Sequence, residues 1–328
     1  MGARYDISKF TIPLAIAALI LLSSFVFVTG DAADALRYSF IGQYFHTDFF
    51  LDKQTLSKIL SILLLAACPL MFYIMDRHYP LDISIDLPLM YALLIFSCKD
   101  ALCLSPVHIA AFFLTWAIYF SFRASLATYN VDYPFISMLL LSTASLFFVP
   151  LIWLAPLMAA LDNNNSAKKL RTVTGSICGL LLPMIIVTGI HIIASGYTSF
   201  TEPVMRYLEM TVDIDPGLTQ MKISTVLKVL LIIVSAVWAT VAFIKTFNTL
   251  DIAAERCHMR CMLYSFWLTL IALAFGNSLA SVIWIPVLMP LSFFLFAFFN
   301  RQTEERNGIF LFAILLLLVV AERIVILL

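Results

Sequence analysis

The chain has 328 residues, 62% hydrophobic and 12% charged, with twenty basic side chains balanced by twenty acidic ones. Its mean hydropathy is +0.99. Soluble domains carry about 25% charged residues, so a water-exposed globule of this length lacks the polar coat to cover its apolar surface, and zero net charge removes the footprint of a nucleic-acid binder. The expected fold class is all-α, a polytopic helical bundle in lipid, built as a single domain over 1–328.

In chain order, Arg4 and Lys9 precede an apolar run over 10–29. That run exceeds the roughly 7–15 apolar residues of a signal peptide, so an uncleaved first span is expected, although Ala33 and Ala35 offer small residues for cleavage. Further apolar runs bounded by charge predict spans at 57–75, 82–98, 106–123, 134–149, 151–161, 173–195, 224–244, 262–275, 279–299 and 308–328, making eleven. A spanning helix needs about 20 residues, and backbone groups in hydrocarbon must bond within their own segment. Residues 134–161 contain Pro150 and Pro156. One helix there would be about 42 Å long, too long for a core of about 30 Å, and would place Arg123 and the Lys168, Lys169, Arg171 cluster on opposite sides. Two half-length helices meeting near Pro150, inside the bundle, fit better.

Orientation follows from Lys and Arg in the short loops. One set of alternate connections holds Arg4, Lys9, Arg77, Arg123, Lys168, Lys169, Arg171, Lys245, Arg256, Arg260, Arg301 and Arg306, twelve of the twenty basic residues. The other set holds the two long loops, Gly30–Ser57 and Gly196–Ile223, with Asp31, Asp34, Asp48, Asp52, Glu202, Glu209, Asp213 and Asp215. The first set is expected in the cytoplasm with the N-terminus, and the C-terminus is expected outside, in the periplasm of a bacterial inner membrane. Asn163-Asn164-Asn165-Ser166 contains a glycosylation sequon but falls in a cytoplasmic turn, so it reads as a polar loop.

Several clusters could carry chemistry. Asp31 and Asp34 share one helix face at i, i+3. They fit a divalent-cation site or a general base towards a lipid-borne substrate, and equally the acidic first turn of an interfacial helix. Lys99 and Asp100 lie in a tight outer turn before Ser105-Pro106-Val107-His108, where a site or two snorkelling helix ends are both readable. His191 lies near the outer end of its span; intramembrane ionisable groups are candidates for function, but a backbone carbonyl also satisfies an imidazole. Glu322 and Arg323 do not face each other on a helix and sit near the outer interface. Cys257-His258-Met259-Arg260-Cys261 places two thiols on one face but not the histidine, short of the three or four ligands zinc needs, so no metal is assigned. Cys68 and Cys178 fall inside apolar runs, Cys257 and Cys261 in a reducing cytoplasmic loop, and Cys98 and Cys103 flank an outer turn where oxidising conditions would allow a bridge.

The stretch Asp132-Tyr133-Pro134-Phe135, then Ala144-Ser145-Leu146-Phe147-Phe148-Val149-Pro150-Leu151-Ile152-Trp153-Leu154-Ala155-Pro156-Leu157, then Gly179-Leu180-Leu181-Leu182-Pro183 resembles a family of multi-pass inner-membrane proteins of unknown function from Bacteroidota. More distantly, the two long acidic loops after the first and seventh spans, and the Pro-punctuated short helices over Phe147–Pro156, resemble the GT-C membrane glycosyltransferases, which use polyprenyl-phosphate-linked donors. That likeness implies Asp31, Asp34 and Asp100 as catalytic acids or bases. Arg37, Lys99, His108, His191 and Arg206 would then be phosphate-binding groups, with a divalent cation possible at Asp31 and Asp34. The chain departs from that pattern in having no adjacent Asp-Glu pair, an apolar Phe147-Phe148-Val149 hinge and no large soluble domain. A non-catalytic membrane subunit of cell-envelope assembly, and a transporter or lipid flippase, are the alternative expectations.

Overall fold

The computed structural model describes residues 15, 18, 39–41, 54–76, 86–96, 98, 101–126, 131–164, 169–195, 201–214, 223–246, 252–275, 281–301, 313–314, 316–321 and 324. Among the described residues the regular elements are all helical. They are α1 (Gln54–Asp76), α2 (Asp86–Phe96), α3 (Pro106–Leu126), α4 (Asp132–Phe147), a 3-10 segment (Val149–Leu154), α5 (Ala155–Asn164), α6 (Lys169–Ser195), α7 (Thr201–Val212), α8 (Ile223–Thr246), α9 (Ile252–Ala274), a 3-10 turn (Ser281–Trp284) and α10 (Ile285–Arg301). Three helices are long and apolar enough to cross a membrane, over Pro106–Leu126, Lys169–Ile193 and Glu255–Ala274, and several shorter ones are apolar as well. The first span expected at 10–29 lies outside the described residues except for Ala15 and Ala18.

Helices α3 and α10 form the centre. Val107, Ala110, Leu114, Ile118 and Phe122 of α3 are buried, as are Ile285, Leu288, Leu291, Phe294 and Leu295 of α10. Around them, α4 packs between α3 and α6, while α10 contacts α2, α8 and α9. The outer helices α1, α6 and α8 are different in kind. Leu56, Ile59, Leu63, Leu70 and Ile74 of α1 are exposed, as are Ile177, Leu181, Ile185 and Ile193 of α6 and Val226, Leu230, Ile233, Val237, Val241 and Ile244 of α8. These recur at intervals of three, four, seven or eight residues, so each helix turns an apolar stripe outward.

Hydroxyl groups inside these apolar helices are largely satisfied by the turn before them. Thr115 donates to the Ala111 carbonyl at 2.8 Å, Ser265 to Cys261 at 2.7 Å and Thr269 to Ser265 at 2.7 Å, which lets a polar side chain sit in an apolar helix without a distant partner.

The break at Pro150 is as expected, and its consequence is a reversal. Phe148 is extended, with φ −144° and ψ 93°, and ends α4; the Val149–Leu154 3-10 segment follows, and α5 returns antiparallel to α4. Ser137 donates to the Asp162 carboxylate at 2.7 Å although twenty-five residues separate them. In one straight helix those residues would stand about 37 Å apart.

Helix α6 lies close against α4. A Cβ on Gly179 would collide with the Phe135 carbonyl oxygen and come within 3.1 Å of the Leu139 nitrogen, while one on Gly175 would meet Val131 and Phe135 at an ordinary 3.8 Å. Gly175-Ser176-Ile177-Cys178-Gly179 is thus a small-x-x-x-small face that lets two helix backbones approach. Ser142 reinforces the contact by donating to the Leu180 carbonyl at 2.6 Å.

Some boundaries move. The helix that contains the run 262–275, α9, starts ten residues before it, at Ile252, and Cys257, His258, Arg260 and Cys261 are helical and buried instead of lying in a loop. Arg256 and Arg260 hid this start by resembling a basic linker. Cys98 and Cys103 are not joined by a disulfide.

Replacing Gly179 by Ala should destabilise the protein by about 1–3 kcal/mol through overpacking, after the gain of up to about 1 kcal/mol that Ala brings to a helix. Gly189, whose Cβ would meet nothing within 4 Å, should show only that gain. Thermal unfolding of the two variants in detergent separates the effects.

Candidate functional site

The sequence-predicted site is divided by what the structure describes. Asp31, Asp34, Arg37, Lys99 and Asp100 lie outside the described residues. His108, His191 and Arg206 are described, and no hydrogen bond or ion pair joins any two of them.

His108 is buried at the start of α3. Its Nε2 lies 2.7 Å from the Ala101 carbonyl and its Nδ1 2.9 Å from the Ser105 hydroxyl. A carbonyl only accepts, so Nε2 carries the proton and Nδ1 accepts, from the hydroxyl and from the Ser105 N–H at 3.2 Å. The result is a helix start in which Ser105 precedes Pro106 in the first turn and His108 stands where a capping box has Glu or Gln. Both ring nitrogens are occupied. His191 is half-buried on α6, and its Nε2 is buried without a hydrogen-bond partner among the described residues. Arg206 is exposed on α7.

Helix α7 lies on the Pro150 hinge. Tyr207 packs with Phe40, Leu146 and Val149, edge-on to the Phe40 ring at a centroid distance of 6.1 Å, and its hydroxyl lies 2.7 Å from that of Ser145. Burial pushes the Tyr207 phenol up to about 12, against a smaller lowering by Ser145. Trp153 donates its indole N–H to the Thr211 carbonyl at 3.1 Å, and its own carbonyl accepts from the Trp267 indole of α9 at 2.7 Å.

At the opposite end of the α4–α5 hairpin is a buried charged centre that the sequence reading had not placed. Arg260 of α9 and Asp162 of α5 form an ion pair at 2.5 Å, their side chains 5% and 0% exposed. Ser121 of α3 donates to one carboxylate oxygen of Asp162 and Ser137 of α4 to the other, at 2.5 and 2.7 Å. The Tyr264 hydroxyl is 2.5 Å from that of Ser121. Arg260 also donates to the carbonyls of Ser121 and Leu161. One turn away, Arg256 donates to the Ser125 carbonyl at 3.2 Å. Helices α3, α4, α5 and α9 therefore meet at one carboxylate, and α9 lies antiparallel to the end of α3 with Arg256 and Arg260 matched to Ser125 and Ser121.

A signal for this centre did exist. Arg256 and Arg260 are spaced to share one helix face, and Asp162 directly follows the apolar run 151–161. Cys257 and Cys261 are buried on α9 while His258 packs on the Phe293 ring at 5.3 Å; among the described residues no group of three His, Cys, Asp or Glu side chains converges as a metal site. Comparison with protein-family models, with curated proteins and with solved structures finds no match.

Two predictions follow from these geometries. Arg260→Gln and Asp162→Asn, each leaving a buried charge unpaired, should each cost about 3–5 kcal/mol, whereas Asp162→Leu combined with Arg260→Met should recover much of that loss; chemical denaturation in detergent measures both. Because the Tyr207 phenol is raised above its unfolded value near 10, its docking contribution is complete below about pH 10 and is lost as pH rises towards 12. Tyr207→Phe should remove that alkaline loss, read by hydrogen exchange of α7 against pH.

Proposed function

We propose that the chain is an integral membrane protein of a bacterial inner membrane, acting as a non-catalytic subunit or scaffold in cell-envelope assembly. The observation that carries this reading is the closed state of the charged centre. Asp162 receives two hydroxyls and a guanidinium on its two oxygens, so both oxygens are engaged in joining helices. The outward stripes on α1, α6 and α8 support lipid as the surrounding solvent, since exposed apolar surface on this scale is unusual on a soluble monomer. The contacts also support the expected topology. Residues read as cytoplasmic ends (Ser121, Ser137, Asp162, Arg260) meet at one end of the hairpin, and those read as outer elements (Ser145, Trp153, Tyr207, Thr211) meet at the other.

A second reading, a GT-C-like or degenerate transferase working on a lipid-linked substrate at the outer face, is favoured by one feature. Helix α7, from the second long loop, is docked on the proline hinge, so that loop is anchored over the bundle. On this reading Asp31 or Asp34 is the base or cation ligand and Arg206 faces the substrate phosphate.

The protein should stay in the membrane fraction after an alkaline carbonate wash, and reporters inserted in 30–53 and 165–168 should register on opposite sides. Asp31→Asn and Asp34→Asn should leave complementation intact on the scaffold reading, with stable partners co-purifying in mild detergent. Loss of complementation in both variants, at unchanged expression and thermal stability, would instead establish the transferase reading.

A further inference from the structure

Helix α7 has three faces. Successive residues of a helix turn about 100°, which sorts the side chains of α7 into arcs. Pro203 and Tyr207 are buried and Met210 and Thr211 half-buried, so this arc is the one that meets the hinge. Met205, Leu208 and Val212 lie beside it at i, i+3 and i+7, and they are 56%, 51% and 70% exposed. Arg206, Glu209 and Asp213 form the third arc, also exposed. The helix is apolar over more of its girth than the protein covers, and its remaining side is charged.

Helix α6 sets the level at which α7 is docked. Met184 and Val187 of α6, with Met210 of α7, pack on the cluster of Phe40, Leu146, Val149 and Tyr207. Past that level α6 continues to expose apolar side chains, Ile190 and Ile193 among them, and Ile193 stands about 9 Å beyond Val187 along the helix. On the membrane reading these isoleucines lie in hydrocarbon, so α7 is docked no farther out than the edge of the apolar layer. Exposed Trp153, bonded through its indole to the Thr211 carbonyl at 3.1 Å, stands at the same level, and tryptophan is enriched where hydrocarbon meets water. Three side chains bordered by a charged arc are too few to supply the roughly 800 Å² per partner of a stable protein interface. Acyl chains need no such area.

We infer that α7 lies along the membrane surface, with Met205, Leu208 and Val212 inserted among the acyl chains of one leaflet and Arg206, Glu209 and Asp213 facing water. The inference rests on the membrane reading above and adds to it a lipid-contacting element that does not span. That contact is one helix away from the Pro150 hinge, to which the Tyr207–Ser145 and Trp153–Thr211 bonds tie α7.

The test uses the full-length protein in liposomes of phosphatidylglycerol and phosphatidylcholine. Cys103→Ser and Cys178→Ser remove the two thiols that are not buried. A nitroxide is then attached in turn at Met205→Cys, Leu208→Cys, Val212→Cys, Arg206→Cys and Glu209→Cys, and at Ile186→Cys on α6 as a reference. Power-saturation EPR compares collisions with oxygen and with a water-soluble nickel chelate. Labels at the three apolar positions should favour oxygen and lie about 5–10 Å into the boundary of headgroups and chains, while those at Arg206 and Glu209 should favour the chelate. In the unmodified protein, a phospholipid carrying a diazirine on its acyl chain should attach, on illumination, to the segment from Met205 to Val212, a readout that needs no substitution. Chelate favoured at all five positions of α7, with oxygen favoured at Ile186, overturns the inference and leaves the membrane reading standing. Poor access of both reagents to the three apolar positions places a protein partner there and also overturns it. Chelate favoured at Ile186 as well overturns both.

Discussion

A carboxylate and a guanidinium buried together must have their hydrogen-bonding positions filled, because desolvation costs each ion several kcal/mol that a bare pair does not return. In this protein that requirement recruits four helices. Asp162 accepts from Ser121, Ser137 and Arg260, and Arg260 also donates to the Ser121 and Leu161 carbonyls. The end of α3, the start of α4, the end of α5 and the first half of α9 are thereby set in one arrangement. None of these contacts is local in sequence, so the centre forms only when the α4–α5 hairpin has closed against α9.

The hairpin is held at its other end by a different chemistry. Trp153, in the 3-10 segment, accepts from Trp267 through its carbonyl and donates to Thr211 through its indole, so a single residue links α9, the hinge and α7. The amphipathic α7 is fastened a second time by Tyr207 and Ser145. Helix α9 thus meets both ends of the hairpin, through Arg260 and through Trp267. Any movement of the outer helix α7 must either break its bonds to the hinge or strain a unit whose far end is an ion pair.

Much of this was legible in the sequence where the signal is collective. The apolar runs pointed to an all-helical chain, although α7 lies in a stretch read as a loop, and Pro150 with the length of 134–161 pointed to a break and a return. What was not legible is pairwise. Asp162 reads as the first polar residue of a loop, and Arg260 as one more cytoplasmic cation; only the fold puts them 2.5 Å apart. The start of α9 was missed for the same reason, because two arginines and a histidine within five residues look like a linker until α3 is laid beside them. His108 shows the converse. Its place among Lys99, Asp100 and Ser105 suggested a site, yet its ring is engaged by Ala101 and Ser105 of its own helix start. The candidate acids Asp31, Asp34 and Asp100 lie outside the described residues, so the outer site stays a matter of sequence.

Polar contacts also explain how so apolar a bundle has a unique register. Leu, Ile and Phe pack with little directionality, and sliding one such helix along another by a turn exchanges one apolar contact for a similar one. Hydroxyls and charges do not exchange so freely. Arg256 and Arg260 meet the carbonyls of Ser125 and Ser121, and a one-turn slip of α9 would carry Arg260 away from the Asp162 carboxylate. Gly179 sets the same kind of limit on α6, since no neighbouring residue of that helix except Gly175 lacks a Cβ to hold the backbone of α4 away. Apolar burial makes the helices associate, while a few directional contacts select the one alignment in which they do.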